Sequence, residues 1–370
     1  MYPDLDNFTG PEFEEGEFRG TRTAVIYDED FTRHDTGPHP EQPKRLIVAR
    51  QAILNDPVNE KISWLEPRIC EDEDILRCHT PQHLENIRHA CEIAAEEGRG
   101  LVRLDPDTVV SGASFIAARK AIGALCMSVD LVLSGKFDIL WNLVRPPGHH
   151  AVSNRSMGFC LFNNVACGAE YAKIIHGMER ILIIDYDCHH GNGTQDLTYK
   201  DSKILYTSIH QSYHYPGTGY IEEIGAGDGK GFNMNFPVLA GSGNDEFALY
   251  MKELVAPIAL QFKPQLIFVS AGFDAHVMDP LCMLQVTTPM YGAATTLIKA
   301  IARETGAPII HALEGGYSLD ALSECIVECI RASTEKEFSE HDLPMRGRPS
   351  PGAMQTLDML KSALAGYWEF

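Results

Sequence analysis

The sequence ILIIDYDCHHGNGTQ, residues 181–195, gives the clearest indication of the fold class. It opens with an unbroken apolar run, which is typical of a strand covered on both faces, and passes directly into a polar, glycine-rich turn. Similar apolar runs recur along the chain, and longer helical patterns separate them. The predicted strands are Thr23–Tyr27, Ile139–Val144, Ile181–Asp187, Ile204–Ile209, Leu266–Ala271 and Pro308–Leu313. This alternation predicts a parallel sheet with helices on both faces.

The helical patterns have recognisable ends, and no linker divides the chain. SFIAARKAIGALCMSVDLVLSG ends at Gly135 and NNVACGAEYAKIIHG ends at Gly177, as expected where a glycine closes a helix. We therefore predict one α/β domain over residues 21–335. An acidic arm, residues 1–20, precedes it, and a C-terminal extension with a short helix, residues 336–370, follows it.

Composition limits the class of protein. The chain has 370 residues, 44% of them hydrophobic, and a net charge of −20. It can bury a large core, and no apolar run reaches the roughly 18 residues that span a bilayer. We expect no membrane partner, no direct nucleic-acid partner, and a cytoplasmic location. The ten cysteines form no Cys-x-x-Cys pair, so we expect reduced thiols.

A metal site is predicted at the ends of two strands. Asp185, Asp187 and His189 are spaced two apart, so in an extended segment they project to one side while Cys188 points away. Asp274 follows another buried strand and could complete a set of two carboxylates and one imidazole, with a position left open as in catalytic zinc sites. The alternatives are a hydrogen-bonded capping cluster and, for Asp274, a surface turn. Ligand type alone does not separate Zn²⁺ from Fe²⁺ or Mn²⁺.

Two more strand ends carry residues suited to catalysis. His149 and His150 follow the rigid turn of RPPGHH and could act as general base and acid, although a solvent-exposed pair is the alternative. In LEGGY, residues 313–317, Tyr317 could stabilise an oxyanion, although packing between helix and sheet is the alternative. No phosphate-binding glycine loop or Gly-x-Ser-x-Gly turn supports nucleotide binding or serine catalysis.

Together these motifs resemble the histone deacetylase family, most closely its class II-type and bacterial histone deacetylase-like amidohydrolases. The resemblance covers roughly residues 22–330 and is carried by RPPGHH, GFCLFNN, DYDCHHGNGTQ, SAGFDAHVMDPL and LEGGY. It implies the arginase/deacetylase fold, with a central eight-stranded parallel sheet flanked by helices. It also implies a zinc-dependent amidohydrolase that removes acetyl or related acyl groups from amines, with one Zn²⁺ per chain and a structural K⁺ or Na⁺.

The resemblance also implies residue roles. The zinc ligands would be Asp187, His189 and Asp274. His149 and His150 would activate water and protonate the leaving amine, with Asp185 and Asn192 behind them, and Tyr317 would stabilise the transition state. The monovalent-cation site would use Asp185, Asp187, His189, Ser208 and the main chain of Ile209. Residues expected at the substrate channel and its rim are Asp107, Gly158, Phe159, Tyr215, Leu281, Gly315 and Gly316. Arg45 would line an internal exit channel.

Three positions carry further expectations from the resemblance. Asn192 stands where class I members have Asp, so we expect a lower proton affinity at His150. Tyr215 replaces the more usual Phe, and its hydroxyl is expected to tune the acyl preference. Leu281 replaces the acidic gatekeeper of the polyamine-specific vertebrate branch, which favours acyl-lysine peptides or proteins over acetylated polyamines.

Other functions remain open at the level of sequence. Acetylpolyamine hydrolysis is the nearest alternative. An arginase-like binuclear manganese ureohydrolase would need an Asp-x-His-x-Asp pattern, which this part of the chain lacks. A non-catalytic scaffold with the same fold is another alternative. It would not need to keep a residue of the expected type at every catalytic position, as this chain does. The sequence also leaves open whether the chain forms a homo-oligomer.

Overall fold

The strands form one large parallel sheet. The computed structural model describes residues 22–96, 100–339, 343–345 and 347–370, so the predicted acidic arm lies outside the described residues. The strands are β1 (Thr23–Ile26), β2 (Ile62–Leu65), β3 (Val102–Arg103), β4 (Val109–Val110), β5 (Ile139–Asn142), β6 (Ile181–Asp185), β7 (Ile204–Gln211), β8 (Asn233–Val238), β9 (Leu266–Ala271) and β10 (Ile309–Leu313). Eight of them form a sheet in the order β2-β1-β5-β10-β9-β6-β7-β8, and β3 and β4 form a small antiparallel pair.

Helices connect the strands. They are α1 (Asp30–Arg33), α2 (Lys44–Asn55), α3 (Asp72–Leu76), α4 (Pro81–Ala95), α5 (Ser114–Leu133), α6 (Asn164–His176), α7 (Asn192–Thr198), α8 (Asn244–Tyr250), α9 (Ala256–Phe262), α10 (Thr288–Thr305), α11 (Leu319–Glu335) and α12 (Pro351–Leu364). A π-helical turn, Met251–Val255, joins α8 to α9. Among the described residues, no helix is both long enough and apolar enough to cross a membrane.

All six predicted strands are present, with small shifts at their ends. The residue pattern did not reveal β2 and β8, which are the two edges of the sheet. All four residues of β2 are only partly buried, and β8 contains two asparagines and Pro237. Proline is tolerated at a sheet edge because one side of the strand needs no partner. Edge strands therefore lack the continuous apolar run that identified the central strands.

Adjacent residues of β5 show that helices cover both faces. Trp141 donates from Nε1 to Ser333 Oγ of α11 at 3.0 Å, whereas Asn142 accepts from Ser128 Oγ of α5 at 2.9 Å. Successive side chains of a strand point to opposite faces, so α5 and α11 lie on opposite sides of the sheet.

The C-terminal helix packs on the edge of the sheet. Leu357, Leu360 and Leu364 of α12 are buried in the same core as the sheet, as is Trp368 beyond it. Trp368 Nε1 donates to the carbonyl of Gly231 at 2.8 Å, next to β8. The C-terminal region thus contributes α12, which covers the β8 side of the molecule.

His311 of β10 couples the stability of this core to pH. Its ring is fully buried and stacks on Trp141, with ring centroids 3.7 Å apart, and among the described residues neither ring nitrogen has a hydrogen-bond partner. Burial lowers the pKa of His311 to about 3, against about 6.5 in an unfolded chain. Between these values the unfolded state binds a proton that the folded state does not, so stability falls as the pH falls.

We expect His311→Phe to reduce this loss of stability. Between pH 6.5 and pH 4.5 the variant should lose about 2–3 kcal/mol less unfolding free energy than the wild type, because the phenyl ring cannot be protonated. Urea unfolding at several pH values measures the difference. His89→Phe, at a surface histidine, is the control and should follow the wild type. Identical pH profiles for wild type and His311→Phe would contradict the prediction.

Candidate active site and metal centre

The predicted site residues come from loops at one edge of the sheet. The loop after β5 carries the two adjacent histidines, the loop after β6 carries the Asp187 and His189 pair, and the loops after β9 and β10 carry Asp274 and Tyr317. These four strands are neighbours in the order β5-β10-β9-β6. Because the strands are parallel, their carboxyl ends meet, as at the ligand sites of other open α/β sheets.

Asp187, His189 and Asp274 converge on one point. His189 Nδ1 lies 3.1 Å from Asp187 Oδ1 and 3.0 Å from Asp274 Oδ2. Both carboxylates are completely buried, and ligand atoms of the three residues and of Cys188 all lie within 4.8 Å of one another. Cys188 was expected to point away, but its Sγ lies 3.5 Å from His189 Nδ1. Strand β6 ends at Asp185, so strict side-chain alternation does not extend to Cys188.

The surroundings of the carboxylates fit a divalent metal. Asp187 Oδ2 accepts from the amide of Gly315, and Asp274 Oδ1 accepts from the amide of Cys188, each at 2.8 Å. These bonds turn the other oxygen of each carboxylate toward His189. A Cβ on Gly315 would lie 2.1 Å from Asp274 Oδ2, so a side chain there would collide with the site. Two carboxylate oxygens and one imidazole nitrogen match a catalytic zinc ligand set.

Electrostatics also favour a cation at this point. Burial, and then the charge of Asp187, raises the pKa of Asp274. Burial acts in the same direction on Asp187, but the imidazoles of His149 and His189 outweigh it and hold its pKa below the usual range. Two buried carboxylates this close repel each other, and a cation between them would relieve that repulsion.

The two adjacent histidines have different partners. His149 Nδ1 lies 3.1 Å from Asp185 Oδ2, and His150 Nδ1 lies 2.8 Å from Asn192 Oδ1. Burial would lower the pKa of His149, but the carboxylates of Asp187 and Asp185 outweigh it and raise that pKa to about 10. Burial, followed by the positive charges of His149 and His189, holds the pKa of His150 well below its usual range. A charged His149 therefore stands beside a neutral His150.

Aromatic rings surround these histidines. The Tyr215 ring meets His150 edge-on at 5.1 Å, and the Phe159 ring meets Tyr317 edge-on at 5.7 Å. A Cβ on Gly158 would lie 2.4 Å from His150 Cδ2, so only glycine allows this approach. The structure thus places three predicted channel residues, Gly158, Phe159 and Tyr215, against His150 or Tyr317.

Asp107 and Leu281 make contacts with residues that surround the histidines. Phe159 N donates to Thr108 Oγ1 at 3.1 Å, and the same hydroxyl lies 3.3 Å from Asp107 Oδ1. The Thr108 side chain therefore links Asp107 to Phe159. Leu281 is partly exposed, and its carbonyl accepts from His214 Nε2 at 2.9 Å.

The turn that carries Tyr317 is held from two sides. Gly316 has φ +118°, which an L side chain rarely adopts, and its carbonyl accepts from Arg45 Nε at 2.7 Å. The Arg45 guanidinium also lies over the Tyr317 ring, 4.9 Å from its centroid. Asp279 Oδ2 accepts from the amides of Tyr317 at 2.6 Å and Ser318 at 3.1 Å. Burial and nearby carboxylates hold the pKa of Tyr317 well above its usual range, which keeps its hydroxyl protonated.

The predicted monovalent-cation residues are neighbours in the sheet. Asp185 of β6 is paired in register with Ser208 of β7, and the next residue, Ile209, is buried. Asp185 Oδ2 also accepts from the Tyr206 hydroxyl at 3.0 Å.

Glu314 holds the loop of the two adjacent histidines, although the motifs gave it no role. Its buried carboxylate accepts from the amides of Gly148 at 2.7 Å and His149 at 3.2 Å, and from Ser270 Oγ at 3.2 Å. Burial raises the pKa of Glu314 to about 7. The only sequence signal was an acidic residue at the end of a buried strand. Its partners lie more than 40 residues away, so spacing does not reveal them.

We expect Glu314→Ala to impair both stability and turnover. The variant leaves two buried amides without an acceptor, which costs about 1–3 kcal/mol for each group. Displacement of the histidine loop should also raise the activation free energy, and a rise of about 1.4 kcal/mol would lower kcat roughly 10-fold. Glu314→Gln keeps a carbonyl acceptor and should show smaller losses. Urea unfolding and steady-state kinetics measure both effects; an alanine variant as stable and active as the wild type would refute this role.

Comparison with known proteins identifies the family. A family model described as the histone deacetylase domain matches residues 39–333. The chain belongs to the histone deacetylase family. The resemblance predicted from the motifs is therefore confirmed, as is the α/β deacetylase fold with its eight-stranded parallel sheet.

Individual members of the histone deacetylase family support this assignment. Histone deacetylase 14, chloroplastic, from Arabidopsis thaliana is 40% identical over 334 residues, which covers 85% of this chain and 79% of that protein. A histone deacetylase-like amidohydrolase from Pseudomonas aeruginosa is 35% identical over 327 residues, covering 80% of this chain and 82% of the relative. The crystal structure of the HDA15 HD domain matches with a TM-score of 0.85 and 30% identity, over 94% of this chain and 96% of that one. These similarities support a deacetylase or amidohydrolase activity.

Proposed function

We propose that this histone deacetylase family member is a zinc-dependent hydrolase that removes acetyl or related acyl groups from lysine-like amines. The observation that carries the proposal is the convergence of Asp187, His189 and Asp274 beside the His149–His150 pair. The three candidate ligands lie next to the histidine pair, and a neighbouring loop carries Tyr317, which supports a metal-dependent hydrolase. One Zn²⁺ per chain is proposed, held by those three ligands.

The protein side chains would divide the chemistry as follows. Zinc bound by this set supplies a Lewis acid that polarises the amide carbonyl and lowers the pKa of water. Neutral His150 is suited to take a proton from the attacking water, because its Nδ1 already contacts Asn192 and leaves Nε2 for this task. Charged His149 is held by Asp185 and supplies positive charge beside the reaction centre. Both histidines would then be protonated, and one of them would give a proton to the leaving amine.

Tyr317 would complete the site. Its protonated hydroxyl can donate to the oxygen of the tetrahedral intermediate, and Arg45 and Asp279 hold the turn that presents it.

We propose that Gly158, Phe159 and Tyr215 form the channel for the acyl-lysine stem, with Asp107 and Leu281 at its rim. Gly315 and Gly316 give the tyrosine turn its close approach. Arg45 is also proposed to line the exit route for the acyl product.

Two further assignments rest on the family resemblance. We propose that Asp185, Asp187, His189, Ser208 and Ile209 bind a structural K⁺ or Na⁺. The register between β6 and β7 supports this, because it places Asp185 beside Ser208. A cytoplasmic location is proposed from the sequence pattern alone.

A deacylation panel tests the proposed function. Metal content is measured on the protein as purified. The protein is then loaded with zinc and assayed with acetyl-, trifluoroacetyl- and longer acyl-lysine peptides and with acetylated polyamines. Hydrolysis of acyl-lysine peptides at one zinc per chain supports the proposal. Hydrolysis of acetylpolyamines alone would assign the enzyme to that alternative class. Two manganese ions per chain with no deacylation would overturn the proposal.

A further inference from the structure

The loop between α1 and α2 carries a buried carboxylate, Glu41, that two arginines share. Glu41, Arg45 and Arg145 are all completely buried. Arg145 binds Glu41 through two nitrogens, because Nη2 donates to Oε2 at 2.7 Å and Nε donates to Oε1. Arg45 Nη1 donates to the same Oε1 at 3.1 Å. Among the residues that the structure describes, no other carboxylate forms an ion pair with either guanidinium.

The charge of Glu41 holds these two cations in place. Burial would raise the pKa of Glu41, but the charges of Arg145 and Arg45 outweigh it and lower that pKa to about 2. His34 also adjoins the carboxylate, with its Nε2 3.6 Å from Glu41 Oε2. Burial and the charge of Arg145 lower the pKa of His34 to about 3, so this ring stays neutral. Loss of the charge on Glu41 would leave two buried cations without a counter-charge.

Arg45 connects Glu41 to the turn that carries the tyrosine. Its Nε donates to the Gly316 carbonyl at 2.7 Å, and its Nη2 donates to the Glu314 carbonyl at 2.5 Å. Both carbonyls precede Tyr317 in this turn, and the guanidinium also lies over the tyrosine ring. The position of the Tyr317 ring therefore depends on the position of the Arg45 guanidinium.

Arg145 connects Glu41 to the loop that carries the two adjacent histidines. It directly precedes Pro146, the first residue of the turn that leads to His149. Its Nη1 donates to the Phe31 carbonyl of α1 at 2.8 Å, so Glu41 and α1 together hold this end of the loop. The Glu41 carboxylate therefore joins the histidine loop to the tyrosine turn, although it belongs to neither.

We propose that Glu41 is a positioning residue, which uses its two arginines to fix the Tyr317 hydroxyl relative to the histidine pair. It acts through the arginines and touches no reacting group. The inference rests on the proposed function, in which the hydroxyl and the histidines act on one amide group. A misplacement of about 1 Å caused far from the chemistry can cost roughly 100-fold in rate, so a residue that never contacts the substrate can control turnover.

Kinetics in two backgrounds test this role. Glu41→Gln keeps the shape of the side chain and removes its charge. It should lower kcat for an acetyl-lysine peptide roughly 10-fold to 100-fold, with less than about a 3-fold change in KM. In the Tyr317→Phe background the same substitution should lower kcat by less than about 3-fold, because displacement of a hydroxyl has no effect where the hydroxyl is absent. Equal losses in the two backgrounds would indicate a merely structural role and would overturn the proposal.

A ¹⁹F NMR signal gives a readout that needs no turnover. Difluorotyrosine is incorporated in place of Tyr317 in the full chain, and Glu41→Gln should shift or broaden its resonance, because the guanidinium over the ring is displaced. The control is Glu246→Gln, which neutralises another buried carboxylate that accepts from backbone amides, those of Gly243 and Ser350. The control should leave both kcat and the resonance unchanged. An unchanged resonance in Glu41→Gln would overturn the proposal.

The two readouts separate failure of this inference from failure of the proposed function. If the protein hydrolyses no acyl-lysine peptide, the proposed function fails, and the ¹⁹F comparison alone decides whether Glu41 positions Tyr317. Urea unfolding establishes that the variants are folded. If Glu41→Gln does not fold, Glu41→Asp takes its place with the same expected pattern, because it keeps the charge but is one methylene too short to reach both arginines.

Discussion

Replacement of Asp274 with alanine is expected to remove the bound zinc and to lower deacylation turnover by at least about 100-fold. Changes to residues that only support metal ligands already cost up to about 100-fold in affinity or activity, and Asp274 is proposed as a ligand itself. Its Oδ2 lies 3.0 Å from His189 Nδ1, and it is buried with the other two donors. Metal analysis of the dialysed protein and steady-state kinetics measure the two effects.

The matched control is Asp358→Ala, which removes an exposed carboxylate on α12. It should keep about one zinc per chain and wild-type turnover. Asp274→Ala also leaves the amide of Cys188 without its acceptor, so the variant could lose its fold as well as its metal. Circular dichroism therefore checks that it remains folded. A folded Asp274→Ala variant with stoichiometric zinc would refute the ligand assignment.

Tyr317→Phe is expected to lower kcat by about 10²–10³ while zinc content, fold and KM change little. The substitution removes one hydroxyl donor to the oxyanion and keeps the ring, and loss of a single such donor costs about this much in other hydrolases. The contacts that hold the turn are retained, because Arg45 bonds the Gly316 carbonyl and Asp279 bonds the Tyr317 amide. Single-turnover and steady-state kinetics with an acetyl-lysine peptide measure the loss.

Tyr215→Phe serves as the control for Tyr317→Phe. It also removes a hydroxyl from an aromatic ring beside the catalytic histidines, but the Tyr215 ring is proposed to act as a channel wall. We expect less than about a 10-fold change in kcat, together with a shift in preference among acyl groups. Equal losses in the two variants would indicate a general effect of removing hydroxyls and would exclude a specific role for Tyr317.

The parts of the site that sequence predicted lie directly after buried strands. Asp187, His189, His149, His150 and Asp274 follow unbroken apolar runs, so their position at the carboxyl edge of the sheet could be predicted without coordinates. The pairing of His149 with Asp185 and of His150 with Asn192 followed from the family resemblance, and the structure shows both contacts. Burial and the charges of His149 and His189 hold the pKa of His150 below its usual range, whereas the hydrogen bond to Asn192 acts to raise it, so the effect expected of Asn192 stays a prediction.

Other contacts could not be predicted, because they join distant segments through side chains with no distinctive spacing. Glu314 reaches the amide of Gly148, which is 166 residues away, and Arg45 reaches the carbonyl of Gly316 across 271 residues. The contact between the Cys188 thiol and the His189 ring was not predicted, because the alternating side-chain directions of a strand were assumed to continue past Asp185, where β6 ends.

The amino-acid pattern was enough to predict a parallel α/β core with a candidate site where the central strands end. Strands buried on both faces require continuous apolar runs, and these runs are visible in one dimension. The two edge strands, the groups that support the histidine and tyrosine turns, and the contact of the Cys188 thiol with the His189 ring became visible only in three dimensions. Those features depend on the order of strands in the sheet, which brings residues far apart in the chain into hydrogen-bonding distance and leaves no local pattern.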